Sequence, residues 1–298
     1  MKERAQAFVS DLQDEICAAL EASDGTSRFR EDRWERTGGG GGRSRVLEGG
    51  GVLEKAGVNV SAVWGEVPEV VKPQMPGDGD SFFATGISLV LHPRNPHAPT
   101  THANFRYLER GGVGWFGGGA DLTPYVLYEE DARHFHRVLA DACEVGPPEP
   151  PGARYERFKA WCDRYFWNTH REEARGIGGL FFDHQLPNEA TSLEDLAAFW
   201  RSVGAAFLPA YLPILERRKD LPYDEALRHW QLVRRGRYVE FNLLHDRGTK
   251  FGLQTNGRVE SILMSLPPLV RWDYDAHPAP GTPEAALVAV LRQPRGWL

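Results

Sequence analysis

The stretch Thr101-His102-Ala103-Asn104-Phe105-Arg106-Tyr107 alternates polar and apolar residues. A β-strand sends successive side chains to opposite faces. As a strand, this stretch puts His102, Asn104 and Arg106 on one face and Ala103, Phe105 and Tyr107 on the other. The run just upstream, Phe82 to Leu91, has the same parity: Ser88 and His92 fall together, opposite Ile87, Leu89 and Leu91. Pro93, Pro96 and Pro99 break the chain between the two. Tyr238, Glu240 and Asn242 likewise alternate with Val239, Phe241 and Leu243, which predicts a strand over 238–244. Farther on, Phe251 to Thr255 and Arg258 to Met264 flank Asn256-Gly257, a strong hairpin signal.

Helices are predicted between these strands. Phe8, Leu12, Ile16 and Leu20 recur every four residues and predict an opening helix that stops near Ser23-Asp24-Gly25. Glu129-Glu130-Asp131 begins a second, with Phe135, Val138, Leu139 and Ala142 as its apolar stripe. A third carries Tyr155, Phe158, Trp161, Cys162, Tyr165, Phe166 and Thr169 and is expected to end near Gly176. Thr191-Ser192-Leu193-Glu194 reads as a cap ahead of Leu196, Phe199, Trp200, Val203 and Phe207. Gly111 to Gly119 and Gly38 to Gly42 read as turns or loops. The second lacks the lysine and the preceding apolar strand of a phosphate loop. Strands and helices come in blocks, so the expected fold is α+β with a large, mainly antiparallel sheet in a single domain over 1–298.

Composition narrows the function classes. The 298 residues are 41% hydrophobic, enough for one sizeable core. Lys plus Arg number 35 against 41 Asp plus Glu, a net charge of −6, which argues against a dedicated nucleic-acid binder. The three cysteines, Cys17, Cys143 and Cys162, are widely spaced, so neither a disulfide framework nor a zinc knuckle is expected. Reduced cysteines fit the cytoplasm. No apolar signal core opens the chain, and no run approaching ~18 apolar residues predicts a transmembrane segment.

The choice of residues on the polar face points to chemistry. A face that is merely solvated, the plain alternative, favours Lys, Glu and Thr. Here it carries Ser88, His92, His102, Asn104 and Arg106, which suit directed hydrogen bonds. Arg106 can pair a carboxylate bidentately. Asp121 follows Gly117-Gly118-Gly119-Ala120 and can serve as an acceptor or base, or cap a turn. His92, His102, His136 and His170 lie far apart, without the HxxxH or HExxH spacing of a metal site.

Several long segments carry a family resemblance: Gly39 to Gly50, His92 to Pro96, Trp115 to Pro124, Arg175 to Asp183, Gly236 to Asn242, Asp246 to Thr249 and Glu260 to Pro268. In order, and over nearly the whole chain, they resemble the oxygen-dependent coproporphyrinogen III oxidases. Gly114, where a tryptophan is common, and Ala62-Val63-Trp64 depart from the family pattern in what is expected to be pocket lining. The resemblance implies a homodimer whose subunit has a large antiparallel sheet with helices on both faces, the span 238–274 contributing to the interface. It implies that His102 is a proton donor and that Ser88, Asn104, Arg106 and the turn Asn256-Gly257-Arg258 bind coproporphyrinogen III. Asp121 would hold the pyrrole nitrogens. A divalent metal would sit at His92, His102, His136 and His170. Two propionates would become vinyl groups with O2 as acceptor, without an organic cofactor. Two rivals remain: a non-haem metal oxygenase with His92, His102 and Asp121 on iron, and a tetrapyrrole carrier that does no chemistry.

Overall fold

The structure is a computed structural model that describes every residue except 70, 71, 255 and 256. The chain opens with α1 (Lys2–Asp24), closed by Gly25 at φ 71°, whose N–H returns to the Glu21 carbonyl. The strands β1 (Arg30–Glu35), β2 (Gly40–Glu48), β3 (Leu53–Glu66), β4 (Ser81–Pro93), β5 (Thr100–Arg110) and β6 (Val113–Thr123) then meander antiparallel, each beside the last. After α2 (Glu129–Cys143), α3 (Ala153–Tyr165) and a two-stranded ribbon, β7 (Trp167–Asn168) with β8 (Glu173–Ala174), the chain adds β9 (Gly179–Gln185) to β6 as the far edge. The remainder is helical: α4 (Leu193–Ala205), α5 (Phe207–Arg218), α6 (Glu225–Leu244), α7 (Arg247–Gln254), α8 (Val259–Leu263) and α9 (Pro283–Arg292).

Strand parity decides where the core lies. Val58, Val60, Ile87, Leu89, Leu91, Ala103, Phe105 and Tyr107 are buried on one face, packed with Val9, Leu12, Ile16 and Leu20 of α1 and with Phe135, Phe199, Trp200 and Phe207 of the later helices. The expected capping box is present at α4: Ser192 Oγ accepts from Asp195 N–H while Asp195 returns to the Ser192 backbone. The opposite face is partly covered by α6, whose Arg235 pairs with Glu54 of β3, and by the α8 segment, whose Ser261 Oγ lies 2.9 Å from Ser44 Oγ. Helices therefore flank the sheet on both faces.

Four expectations are corrected. Only Gly111 and Gly112 form the turn predicted over 111–119; Gly117 to Gly119 lie within β6, where neighbouring backbones approach so closely that a Cβ on Gly119 would stand 2.3 Å from the Leu180 carbonyl. The helix expected to run to Gly176 stops at Tyr165, and the ribbon follows. The C-terminal third is helical rather than stranded. Asp224 caps α6 by accepting from Leu227 N–H at 2.8 Å, and Tyr238 to Leu244 forms its last two turns. The segments either side of Asn256-Gly257 are α7 and α8; Asp246 starts α7 by accepting from Thr249 N–H at 2.7 Å. Finally, α4 and α5 together (Leu193–Arg218) are long and apolar enough to cross a membrane, contrary to the reading of no such run, but they are mostly buried in the core.

Candidate active site

Residues directly opposite in an antiparallel sheet share a face. The register lines up Ser44, Asn59, Ser88, Asn104 and Gly119 in one row across β2 to β6. The next row is Gly42, Ser61, Gly86, Arg106 and Gly117, and the row on the other side runs Gly57, Val90, His102 and Asp121. Glycines at 86, 117 and 119 leave a floor of backbone between Ser88, Asn104 and Arg106, whereas the Trp34 ring lies against Gly42 and the Met264 side chain against Gly57. Ser88 is exposed, and His102, Asn104 and Arg106 are half-buried at its edge. Ser88, His102, Asn104 and Arg106 thus share one open surface, as strand parity predicted.

Side chains on this floor form a connected network. Asp121 is 1% exposed. His102 Nδ1 donates to its Oδ1 at 2.8 Å, and Arg175 Nη2 donates to both of its oxygens at 2.7 and 2.8 Å. Asn104 Nδ2 lies 3.4 Å from His102 Nε2, and Arg106 Nη1 donates to Asn104 Oδ1 at 3.2 Å. Arg106 Nη2 pairs with Asp183 Oδ2 at 2.8 Å. Burial pushes the Asp121 carboxyl up, but the Arg175 guanidinium and His102 outweigh it and hold it below the usual carboxylate range. An ionised Asp121 fixes the proton of His102 on Nδ1. Nε2 is left on the side of Asn104, 3.4 Å from its amide nitrogen.

Sequence reading missed Arg175. It is buried, donates also to Asn242 Oδ1 at 2.7 Å, and lies over the rings of Phe166, Tyr238 and Phe241 at 4.0, 4.8 and 4.9 Å. Its only signal was membership of the segment Arg175 to Asp183. Asp121, expected at the pyrrole nitrogens, is buried with its oxygens bonded to His102 and Arg175.

Arg258 borders the floor from the far side, ion-paired to Asp32 of β1 and donating to Ser261 Oγ at 3.2 Å. The Gly257 N–H is spent on the Gly252 carbonyl at 2.8 Å, and Asn256 lies outside the described residues. A cleft of about 640 Å³ between α1 and β1–β3, lined by Arg33, Arg43, Ala62 and Trp64, holds none of the expected catalytic, substrate-binding or metal residues. Gly114 faces the core, not the pocket: a Cβ there would meet the Tyr107 hydroxyl at 2.4 Å. Tyr107 therefore fills the space a larger residue would need.

The four histidines are not brought together as a metal site. His92 Nδ1 lies 3.1 Å from Thr100 Oγ1 and its Nε2 is 2.8 Å from the Ser265 carbonyl. His136 is bonded to the Tyr155 hydroxyl at 2.8 Å and the Ile177 carbonyl at 3.1 Å. Burial, aided by Arg235, pushes the His92 pKa well down, and burial with Lys159 nearby lowers that of His136 to about 3. Both are neutral core histidines with each ring nitrogen engaged. His170 contacts Glu240 and His245 at 2.7 and 3.0 Å. No group of three or more metal-ligating side chains gathers among the described residues. These residues do not fit the metal that the resemblance implies.

Comparison with known proteins agrees with the geometry. The sequence model of the family described as coproporphyrinogen III oxidase matches residues 4–297. A protein of Synechococcus sp. (strain CC9605), described as an oxygen-dependent coproporphyrinogen-III oxidase, is 51% identical over 321 residues, covering 100% of this chain and 88% of its own. With a match from one end to the other, the chain belongs to the coproporphyrinogen III oxidase family.

Proposed function

We infer that this chain is an oxygen-dependent coproporphyrinogen III oxidase that converts two propionates to vinyl groups, giving protoporphyrinogen IX. The observation that carries the reading is the Asp121-held His102 beside Arg106 on an open glycine floor. A porphyrinogen is a large carboxylate-bearing ring, and it needs room flanked by cations. Arg106 and Arg258 stand at opposite sides of the floor and can each meet a propionate.

Each step balances as one propionate, one O2 and one proton giving one vinyl group, one CO2 and one H2O2. The C–C bond to the carboxylate breaks and its electron pair becomes the vinyl π bond. The neighbouring carbon gives a hydride equivalent to O2. The electron-rich pyrrole stabilises the carbon that loses hydride, so the side chain itself reduces O2 and neither flavin nor haem is required. In this scheme His102 Nε2 provides the proton that completes peroxide, while Asp121 keeps its Nδ1 protonated and its ring aligned. Arg106 orients the propionate, and Ser88 and Asn104 present hydroxyl and amide groups toward the substrate edge. No step runs through a metal.

The homodimer belongs to this proposal. Leu243, Leu244, Leu253, Val259, Leu269, Trp272 and Tyr274 are large apolar residues exposed on the isolated subunit, all inside the expected interface span 238–274. A cytoplasmic location is proposed with it. The test is aerobic and anaerobic incubation of purified protein with coproporphyrinogen III. Divinyl product and CO2 only in air support the oxidase; a carrier yields neither under either gas. Full activity of protein stripped with a chelator removes the metal-oxygenase rival.

A further inference from the structure

Arg106 already holds a carboxylate. Between β6 and β9 the register slips: Phe116 opposes Gln185 and Gly118 opposes Phe182, so Gly117 alone faces Asp183 and His184. This is a β-bulge, and His184 adopts φ 48° within it. Bulges re-aim side chains, and a non-glycine residue at positive φ persists only where its surroundings hold it. Here the result is specific. Alternation from Phe182 already places Asp183 on the polar face, and the extra residue His184 anchors it there: Asp183 Oδ1 accepts from the His184 N–H at 2.9 Å and its Oδ2 meets Arg106 Nη2 at 2.8 Å. Gly117 gives the pair room: a Cβ there would stand 2.7 Å from Asp183 Oδ1 and 2.8 Å from Arg106 Nε. His184 is secured by stacking on Trp115, ring centroids 6.2 Å apart and 14° from parallel.

We propose that Asp183 is a specificity-determining residue that occupies the Arg106 clamp as an internal carboxylate, against which every ligand carboxylate must compete. This rests on Arg106 being the propionate clamp of the proposed reaction. Because the bulge N–H anchors Asp183, an incoming propionate meets a fixed anion at the guanidinium rather than an unpaired cation. A ligand with one carboxylate gains little from such a clamp. A tetracarboxylate, tethered to the floor by its other groups, reaches Arg106 at high effective concentration and competes successfully. The anion thereby selects for multiply charged macrocycles, a repulsive element that discriminates among ligands.

The test is equilibrium titration of the full chain with coproporphyrin III, a stable tetracarboxylate, and with a monocarboxylate porphyrin, by fluorescence quenching. Asp183→Asn keeps the shape and removes the charge. The expected result is binding tighter by about tenfold for the monocarboxylate and by less for the tetracarboxylate, with selectivity narrowed accordingly. The gain should vanish in the Arg106→Ala background, which a purely structural role would not produce. Asp183→Ser serves as the second variant if the first folds poorly by circular dichroism. Unchanged or weaker binding of the monocarboxylate in folded variants overturns the proposal, as does a gain that survives Arg106→Ala. Turnover of coproporphyrinogen III by the unaltered protein is measured alongside. Its absence counts against the functional reading, whereas the titrations report on the clamp itself.

Discussion

The two faces of the central sheet are built from the same strands by opposite rules. On the core face, Ile87, Leu89, Ala103, Phe105 and Tyr107 are fully enclosed by helices. On the other, alternate residues of those strands are Gly86, Ser88, His102, Asn104 and Arg106, left open or half-buried. The first face stabilises the fold through apolar area. The second gives up that area to keep a flat floor with a polar network at its edge, and the buried Arg175–Asp121 pair holds this network in register. Stability and chemistry are thus separable by strand parity, one residue apart.

That separation can be broken or sharpened by substitution. Phe105→Ala on the core face should lower unfolding free energy by about 3–5 kcal/mol, read from denaturant midpoints, because it leaves a cavity among enclosed side chains. Asp121→Asn falls between the two regimes. It removes the charge that fixes the His102 tautomer and leaves the Arg175 guanidinium without its carboxylate, so kcat should fall by roughly 10²-fold or more and stability should drop as well. Normal turnover would end its assigned role.

A smaller effect concerns protons buried on the core side. The folded pKa of His136 is depressed to about 3. The unfolded chain binds its proton below about pH 6.5, so this group's contribution is whole above that pH. It is lost as pH falls toward 3, at up to about 1.4 kcal/mol per pH unit. Urea midpoints at pH 7 and pH 5 should therefore differ less for His136→Gln than for the unaltered chain. The least stability change is expected at the open face: Ser88→Ala should move unfolding free energy by less than about 0.5 kcal/mol while raising KM severalfold, in steady-state assays.

How much of this could be read from the sequence follows the same division. Parity in β4 and β5 placed Ser88, His102, Asn104 and Arg106 together correctly, because a strand's period of two is a local property. The partners of His102 were hidden. Asp121 sits in a glycine-rich run that reads as a loop, and it meets His102 only through the β5–β6 register. Arg175 arrives from the ribbon, 54 residues beyond Asp121. Asp183 meets Arg106 only through the β6–β9 pairing, and the bulged His184 that anchors it is reported by no alternation pattern. The strand expected at 238–244 failed because Tyr238, Phe241 and Asn242 also fit a helix at i, i+3 and i+4, and the Asp224 cap belongs to that helix. The hairpin expected around Asn256-Gly257 gave way to Asp246, which starts a helix instead. Of the expected metal set, His92 and His136 are core residues whose hydrogen-bond partners come from distant segments, which spacing in the sequence does not report.

The most direct measurement compares turnover and binding in His102→Ala. The open face with His102 at its edge predicts that this variant still binds coproporphyrin III with nearly unaltered affinity yet converts coproporphyrinogen III in air at a rate reduced by about 10²–10⁴-fold. Turnover at the unaltered rate, with binding intact, would contradict it.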